Sequence, residues 1–165
     1  MAADKEAYVS LMTAQALKRI GFDFPVRSFY QEPLPGTELE RRHKEDIESL
    51  LNERHDIPFS IKDWNHEKPC TDDRVYYSCP TLAVAQRWFC EVKGIAVLVG
   101  YDVETDHNYK PVKMVYTSNL RDVKMNGICY GYERRTADTY EEALETAILL
   151  AIELLARKEA HNESD

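Results

Sequence analysis

The sequence predicts a small α+β domain, and three observations support that fold class. Between Cys79 and Val103 an amphipathic helix pattern runs directly into an extended apolar segment. Two further segments then alternate apolar and polar residues, as half-buried strands do. A long apolar helix pattern follows from Thr139. The order is therefore α-β-β-β-α, an antiparallel sheet of about three strands with additional N-terminal helices.

The N-terminal part begins with a helix. Ser10 is a suitable N-cap, and Gly21 followed by Phe22 is typical of a Schellman ending, so the helix runs to about residue 20. Its apolar side is predicted to consist of Met12, Ala16, Leu17 and Ile20.

The middle of the chain is less regular. The segment VRSFYQ after Pro25 predicts a strand, because it is short and aromatic. Thr37 and Glu40 match a capping box at the start of a second helix that reaches about Arg54. The residues from 56 to 77 predict a long ordered loop with one edge strand, since Pro58 and Pro69 interrupt the alternation. The apolar side of the second helix is Leu39, His43, Ile47, Leu50 and Leu51.

The helix from 80 to 93 places Pro80 in its first turn, with Ser78, Cys79 or Thr81 as the cap. Gly94 ends it. Because the segment from 95 to 103 is apolar on both faces, it predicts a central strand. The apolar side of the helix is Ala85, Trp88, Phe89 and Val92.

Two more strands follow the polar connection DVETDHNYKP. Val112, Met114 and Tyr116 alternate with polar residues, which predicts a hairpin with the preceding strand. Asn126-Gly127 either precedes a third strand or turns a small hairpin with residues 123–125. The third strand contains Ile128, Tyr130 and Tyr132.

The final helix, from 139 to 158, is capped by Thr139 and apolar nearly all round. We expect it to cover one face of the sheet and to form a subunit contact. The chain as a whole is predicted to be one domain over 1–158, with a helical or irregular part at 1–78, the α-β-β-β-α core at 79–158 and a disordered tail at 159–165.

Composition limits the possible functions. The formal charge of −8 opposes binding to phosphate backbones. The chain shows neither a secretory signal nor a run of apolar residues long enough to span a membrane, which predicts a cytoplasmic protein without membrane partners. We expect its four cysteines to be reduced, and a bridge between Cys70 and Cys79 stays an open alternative.

The helix-strand-strand-strand-helix order is similar to the double-stranded-RNA-binding domain. In that family the last helix presents lysines to phosphates, whereas this chain has carboxylates at its start: Asp138, Glu141, Glu142 and Glu145. The three strands before TYEEALETA also resemble AP2-type and integrase arm-binding domains, which implies a nucleic-acid interface on the sheet. The residues available for it are Tyr116, Tyr130, Tyr132, Lys113, Arg121, Lys124, Arg134 and Arg135.

The chain also resembles small uncharacterised proteins of Bacteroides and related gut bacteria, often found in phage-like contexts. The shared features are a Pro-Thr then Trp helix (Pro80, Thr81 and Trp88), aromatic strands, and a final T-Y-E-E-A helix at 139–143. The resemblance implies the same fold and a bacterial or phage setting. The family has no assigned activity.

Motifs for nucleotide binding, serine hydrolysis and zinc fingers do not occur in the sequence, and we assign no catalytic residue and no cofactor. Asp102, Asp106 and His107 form a dense set of oxygen and nitrogen donors at a strand end, which suggests a divalent cation site or a solvated hairpin tip. His55-Asp56 matches a dipeptide of metal-dependent phosphohydrolases, but the other histidines do not follow that pattern.

Three functions remain from the sequence. The leading hypothesis is a non-enzymatic bacterial or phage accessory protein that acts by protein association as a homodimer. The second is a nucleic-acid-binding module that uses the sheet, and the third is a metal-dependent hydrolase at residues 102–107. Trp64, in a polar loop, is either an exposed binding contact or a plug over the core. The candidate binding residues are thus Trp64, Tyr116, Tyr130, Tyr132 and Arg134, and the candidate metal ligands are Asp102, Asp106 and His107.

Overall fold

The structure is a computed structural model that describes residues 6–37, 53–57, 60–67, 74–124, 127–128 and 134–162. Helices and antiparallel strands both occur in these ranges, which confirms the α+β class. The chain divides into two compact units, an N-terminal unit of Tyr8–Pro80 and a C-terminal unit of Thr81–Asp165 with Met1–Ala7. Most of the predicted helix between Thr37 and Arg54 lies outside the described residues.

Helix α1, Leu11–Arg19, begins and ends as its sequence predicts. The Ser10 hydroxyl accepts the Thr13 N–H at 3.3 Å. Gly21 has a φ of 79°, a left-handed conformation that glycine adopts without strain. The Phe22 N–H donates to Leu17 O at 3.0 Å, which completes the Schellman ending.

The buried side of α1 differs from the predicted one. Thr13, Ala14 and Leu17 are buried, whereas Met12 is 62% exposed. Thr13 can be buried because its hydroxyl lies 3.1 Å from the Ser10 hydroxyl, so that the polar atom has a partner. The cap therefore decides which side of the helix faces the core.

The N-terminal unit contains an antiparallel sheet in the order β2-β1-β3. Its strands are β1 (Ser28–Pro33), β2 (His55–Asp56) and β3 (Arg74–Ser78). The structure confirms the predicted strand in VRSFYQ, and β3 is an edge strand of the described sheet at the end of the segment expected to be a long loop with one edge strand. The backbone pairing of β3 with β1, from Phe29 opposite Ser78 to Pro33 opposite Arg74, stabilises β3. Because β3 is short and half-buried, its sequence shows no clear apolar alternation.

Helix α2, Leu82–Trp88, opens the C-terminal unit. The Thr81 hydroxyl accepts the Val84 N–H at 3.3 Å, so Thr81 is the cap and Pro80 precedes the helix instead of lying in its first turn. A π-helical turn, Phe89–Lys93, continues α2 and ends at Gly94 in a left-handed conformation. Since the wider turn breaks the α-helical periodicity, Val92 is exposed although the pattern placed it on the apolar side.

The second sheet has the order β4-β5-β6, and a further strand, β7, also pairs with β5. Its strands are β4 (Ile95–Thr105), β5 (Pro111–Asp122), β6 (Gly127–Ile128) and β7 (Thr136–Ala137). The prediction that residues 95–103 form a central strand is wrong for the described part of the sheet, where β5 is central and β4 lies at the edge. Only the first residues of β4 are buried, and Leu98 on the opposite face is exposed.

Helix α3, Tyr140–Asn162, packs on β4, β5 and α2. The Thr139 hydroxyl accepts the Glu142 N–H at 3.2 Å, as predicted. The helix continues beyond the expected end at 158 because neither Gly nor Pro interrupts that stretch. None of its described large apolar side chains after Tyr140 is exposed, but Leu149, Ile152 and Leu155 are half-buried, and the subunit contact expected on this helix stays a prediction. Its buried residues are Ala143, Leu144, Ala147, Ile148, Leu150, Ala151 and Leu154.

Candidate functional site

The outer half of the β4–β5 hairpin is the most exposed apolar feature among the described residues of the C-terminal unit. We call residues 101–114 the hairpin arm. Every residue of the arm is exposed except Asp106, which is half-buried. The inner half of the same two strands is covered, with Val97 and Leu120 buried. The arm is therefore a two-stranded extension of the sheet that leaves the core.

One face of the arm is apolar and uncharged. Tyr101 pairs with Tyr116 across the hairpin and Val103 pairs with Met114, so these side chains lie on one face. We call Tyr101, Val103 and Met114 the apolar row. Their exposed fractions are 75%, 45% and 55%.

Polar contacts hold the arm at its tip and near its base. Asp106 Oδ1 accepts the N–H groups of Asn108 at 2.8 Å and Lys110 at 3.0 Å, which closes the turn. Lys113 Nζ donates to Asp138 Oδ1 at 2.5 Å. This hydrogen bond raises the pKa of Lys113 above its usual value. The polar face and the turn thus supply the contacts that order the arm.

The predicted metal ligands do not come together. Asp106 caps the turn, Asp102 Oδ1 accepts the Val103 N–H at 2.8 Å, and His107 Nε2 lies 3.0 Å from Asn108 Nδ2. Within the described residues, no group of three His, Cys, Asp or Glu side chains could hold a metal ion. The solvated hairpin tip is the alternative that the structure favours.

The predicted nucleic-acid residues are divided between two faces of the sheet. Tyr116 lies on the face of the apolar row, with its ring centroid 6.2 Å from that of Tyr140. Arg134 lies on the opposite face, where its Nη2 donates to Thr117 Oγ1 at 2.8 Å. Tyr130 and Tyr132 fall outside the described residues. The described residues therefore do not combine Tyr116 and Arg134 in one binding surface.

Trp64 is a plug, not an exposed binding residue. Its side chain is 6% exposed, and its indole Nε1 donates to Val26 O at 3.0 Å. The ring stacks on Phe29 with 4.2 Å between centroids and a tilt of 27°. The neighbouring Asn65, which the sequence did not single out, donates to Phe22 O at 2.8 Å and accepts the Ser78 N–H at 2.9 Å.

His55 and Asp56 occupy opposite faces of the N-terminal sheet. Asp56 pairs with Ser28 and accepts a hydrogen bond from its hydroxyl, whereas His55 pairs with Phe29 and stacks on its ring. Because consecutive strand residues point to opposite faces, this Ser, His and Asp do not form a catalytic triad. The dipeptide has a structural role in the sheet.

A pocket of about 180 Å³ lies in the C-terminal unit at the starts of α2 and α3. Leu82 and Leu144 contribute to its largely apolar wall, and Glu6 and Glu141 are the acidic residues that line it. Its volume is below the range of roughly 300–1,000 Å³ that is usual for small-molecule sites. We therefore place the candidate site on the hairpin arm.

Comparisons of the chain with protein-family models, curated proteins and solved structures found no significant match. None of the helices in the described ranges is long and apolar enough to cross a membrane. The assignment of function therefore depends on the arm itself.

Proposed function

We propose that this protein acts by protein association, with the apolar row of the hairpin arm as its contact surface and a second copy of the chain as its partner. The supporting observation is an exposed, uncharged face formed by Tyr101, Val103 and Met114. Exposed apolar patches of this kind mark interaction sites in soluble proteins. The bacterial or phage setting implied by the sequence resemblance is part of the same proposal.

A second copy is a suitable partner because the apolar row has no charge. Each chain has a net charge of −8, so two copies repel one another wherever their charged surfaces meet. The apolar row lets them meet without placing carboxylates in contact. A two-stranded ribbon is also only marginally stable in water by itself, and a partner on its apolar face would stabilise it.

Sedimentation velocity of the whole chain tests this proposal. We expect a dimer between about 1 and 100 µM protein, and we expect Tyr101→Glu to yield a monomer because it places a carboxylate in the interface. Met12→Glu is the control, since Met12 is also well exposed, 62% against 75% for Tyr101, but lies in the N-terminal unit. A wild-type protein that stays monomeric at the highest concentration would contradict the proposal.

A further inference from the structure

The register of the hairpin determines which backbone groups of β4 face its free edge. The Val123 N–H donates to Gly94 O at 2.9 Å, and this pair continues the β4–β5 register by one residue. Since hydrogen-bonded pairs alternate in an antiparallel ladder, the even-numbered residues of β4 direct their N–H and C=O groups toward β5. The odd-numbered residues direct theirs toward the free edge.

Side chains cap this edge at two places. Gln86 Nε2 donates to Val97 O at 2.7 Å, and Asp102 Oδ1 accepts the Val103 N–H at 2.8 Å. Between them, the outward N–H and C=O groups of Val99 and Tyr101 have no hydrogen-bond partner in the described part of the chain. We call residues 99–101 the open edge. Proteins usually protect exposed strand edges from pairing with other chains. Here the side chains of Gln86 and Asp102 protect the edge on either side of residues 99–101 but not these three residues themselves.

We propose that the open edge pairs with the open edge of a second copy, antiparallel, with Gly100 on the two-fold axis. This inference rests on the proposed function and specifies how the two copies meet, with Tyr101 and Val103 as the members of the apolar row that contact the partner. Val99 lies opposite the partner's Tyr101, and each such pair exchanges two backbone hydrogen bonds. The two sheets join into one continuous sheet across the interface.

The capped groups select this register. A pairing centred on Val99 would need Val97 O, and one centred on Tyr101 would need the Val103 N–H, but each of these groups already has a side-chain partner. Only the pairing centred on Gly100 forms both central hydrogen-bonded pairs from open groups. The two Gly100 residues then form the closer, non-hydrogen-bonded type of pair, in which side chains crowd each other most, and glycine has none.

Side chains and charges agree with the same register. Val97 lies opposite the partner's Val103 and Val99 opposite the partner's Tyr101, so apolar residues meet on the face of the apolar row. On the other face Asp102 lies opposite the partner's Leu98. No two acidic residues of β4 oppose each other, although the chain has a charge of −8. A pairing centred on Asp102 would place two carboxylates in direct opposition.

Val99→Pro tests the pairing, because proline removes an N–H that faces the free edge and leaves the β4–β5 hydrogen bonds in place. The dimer loses one donor from each copy, so we expect its Kd to rise on the order of 30-fold. Val99→Thr keeps the N–H and the β-branched shape and should dimerise like the wild type. A Val99→Pro protein with wild-type Kd would overturn the edge pairing.

Disulfide trapping gives a second test that does not depend on the proline variant folding. In a Cys90→Ser background, which removes an exposed native thiol, Val99→Cys protein is mixed with Tyr101→Cys protein. Opposed strand residues lie within reach of a disulfide, so we expect rapid formation of the mixed dimer when a thiol oxidant such as diamide is added to accept the two electrons and two protons. Trapping no faster than between Val99→Cys and Val123→Cys proteins, which pairs position 99 with another exposed position, would contradict the register.

The two proposals fail in different ways. If the wild-type dimer is lost in Tyr101→Glu but kept in Val99→Pro, and trapping is slow, the apolar row mediates association without strand pairing. If the wild type is monomeric at all concentrations, both proposals are wrong.

Discussion

Buried polar side chains organise the N-terminal unit at the level of single residues. Asn65 uses its amide group to bridge Phe22 O and the Ser78 N–H, which are far apart in sequence. A buried backbone group without a partner costs about 1–3 kcal/mol, so this bridge matters to the loop and the strand that it joins. Trp64, one residue earlier, stacks on Phe29 and donates a hydrogen bond from its indole N–H to Val26 O.

Tyr77 gives a residue-scale prediction about pH. Burial, followed by a hydrogen bond to Glu32, raises the pKa of Tyr77 to about 12. Because the pKa in the folded state lies above the ordinary value of 10.0, the protonated tyrosine contributes stability that is fully present below pH 10 and lost as the pH rises toward about 12. We expect an ultraviolet titration of tyrosine to contain a late component near pH 12.

Tyr77→Phe provides the control for that titration, since it removes the late component and leaves the other tyrosines unchanged. If the late component persists in Tyr77→Phe, another tyrosine is responsible. If all the tyrosines of the wild type titrate near pH 10, burial does not shift Tyr77 as described.

The turn of the hairpin arm gives a prediction at the scale of an element. Asp106→Ala removes the acceptor of two turn amides, from Asn108 and Lys110, and should weaken the hairpin by about 1 kcal/mol. Hydrogen exchange of the β4 and β5 amides measures this loss, and we expect it to be largest near the tip. Asp138→Ala is the comparison, because it removes only the exposed contact with Lys113 near the base of the arm.

Equal effects of these two variants on tip exchange would contradict the role given to Asp106. The same experiment separates turn closure from metal binding, because a closed turn needs no added cation. Exchange near the tip that slows only when a divalent metal is added would instead support the cation site considered from the sequence.

Salt dependence gives a prediction at the scale of the whole molecule. Two copies with a charge of −8 each repel, while the apolar row and the open edge contain no charged side chain. Raising the salt from about 10 mM to about 150 mM shortens the screening length from roughly 30 Å to 8 Å, so we expect the dimer to become several-fold tighter. Analytical ultracentrifugation at the two salt concentrations measures the change.

The sign of that change also discriminates between functions. Binding to nucleic acid weakens steeply as salt rises, because it depends on phosphate contacts and counterion release. Tyr101→Glu should stay monomeric at both salt concentrations. A dimer that weakens with salt would show that charged contacts, not the apolar row, hold the two copies together.

Local chemistry explains which parts of the fold could be predicted. Ser10, Thr81 and Thr139 cap helices through their own hydroxyl groups, and Gly21 and Gly94 end helices through their own backbone freedom. Each of these effects involves residues a few positions apart, so the sequence pattern contains it. The alternation in β5 and the apolar stripe of α3 are local in the same sense.

The candidate site was predicted only in part. The alternation of Val112, Met114 and Tyr116 predicted a strand, but it did not predict that Val112 and Met114 are exposed on the arm. Apolar alternation looks the same whether the apolar face is covered by a helix or left open to solvent. The carboxylates at residues 102–106 suggested a metal site, because the sequence does not show that Asp106 uses its carboxylate to close the turn.

By itself the sequence determined the α+β class, the residues that cap the starts of α1 and α3, the glycines that end α1 and the π-helical turn, the hairpin between β4 and β5, and a charge that disfavours nucleic acid. Only the tertiary structure decided that β4 is an edge strand in the described sheet, that Trp64 is buried, and that an apolar row and an open backbone edge lie together on the hairpin. The physical reason is the distance along the sequence between the residues that interact. Caps and periodicity depend on neighbouring residues, whereas burial and strand order depend on contacts between residues far apart in the chain.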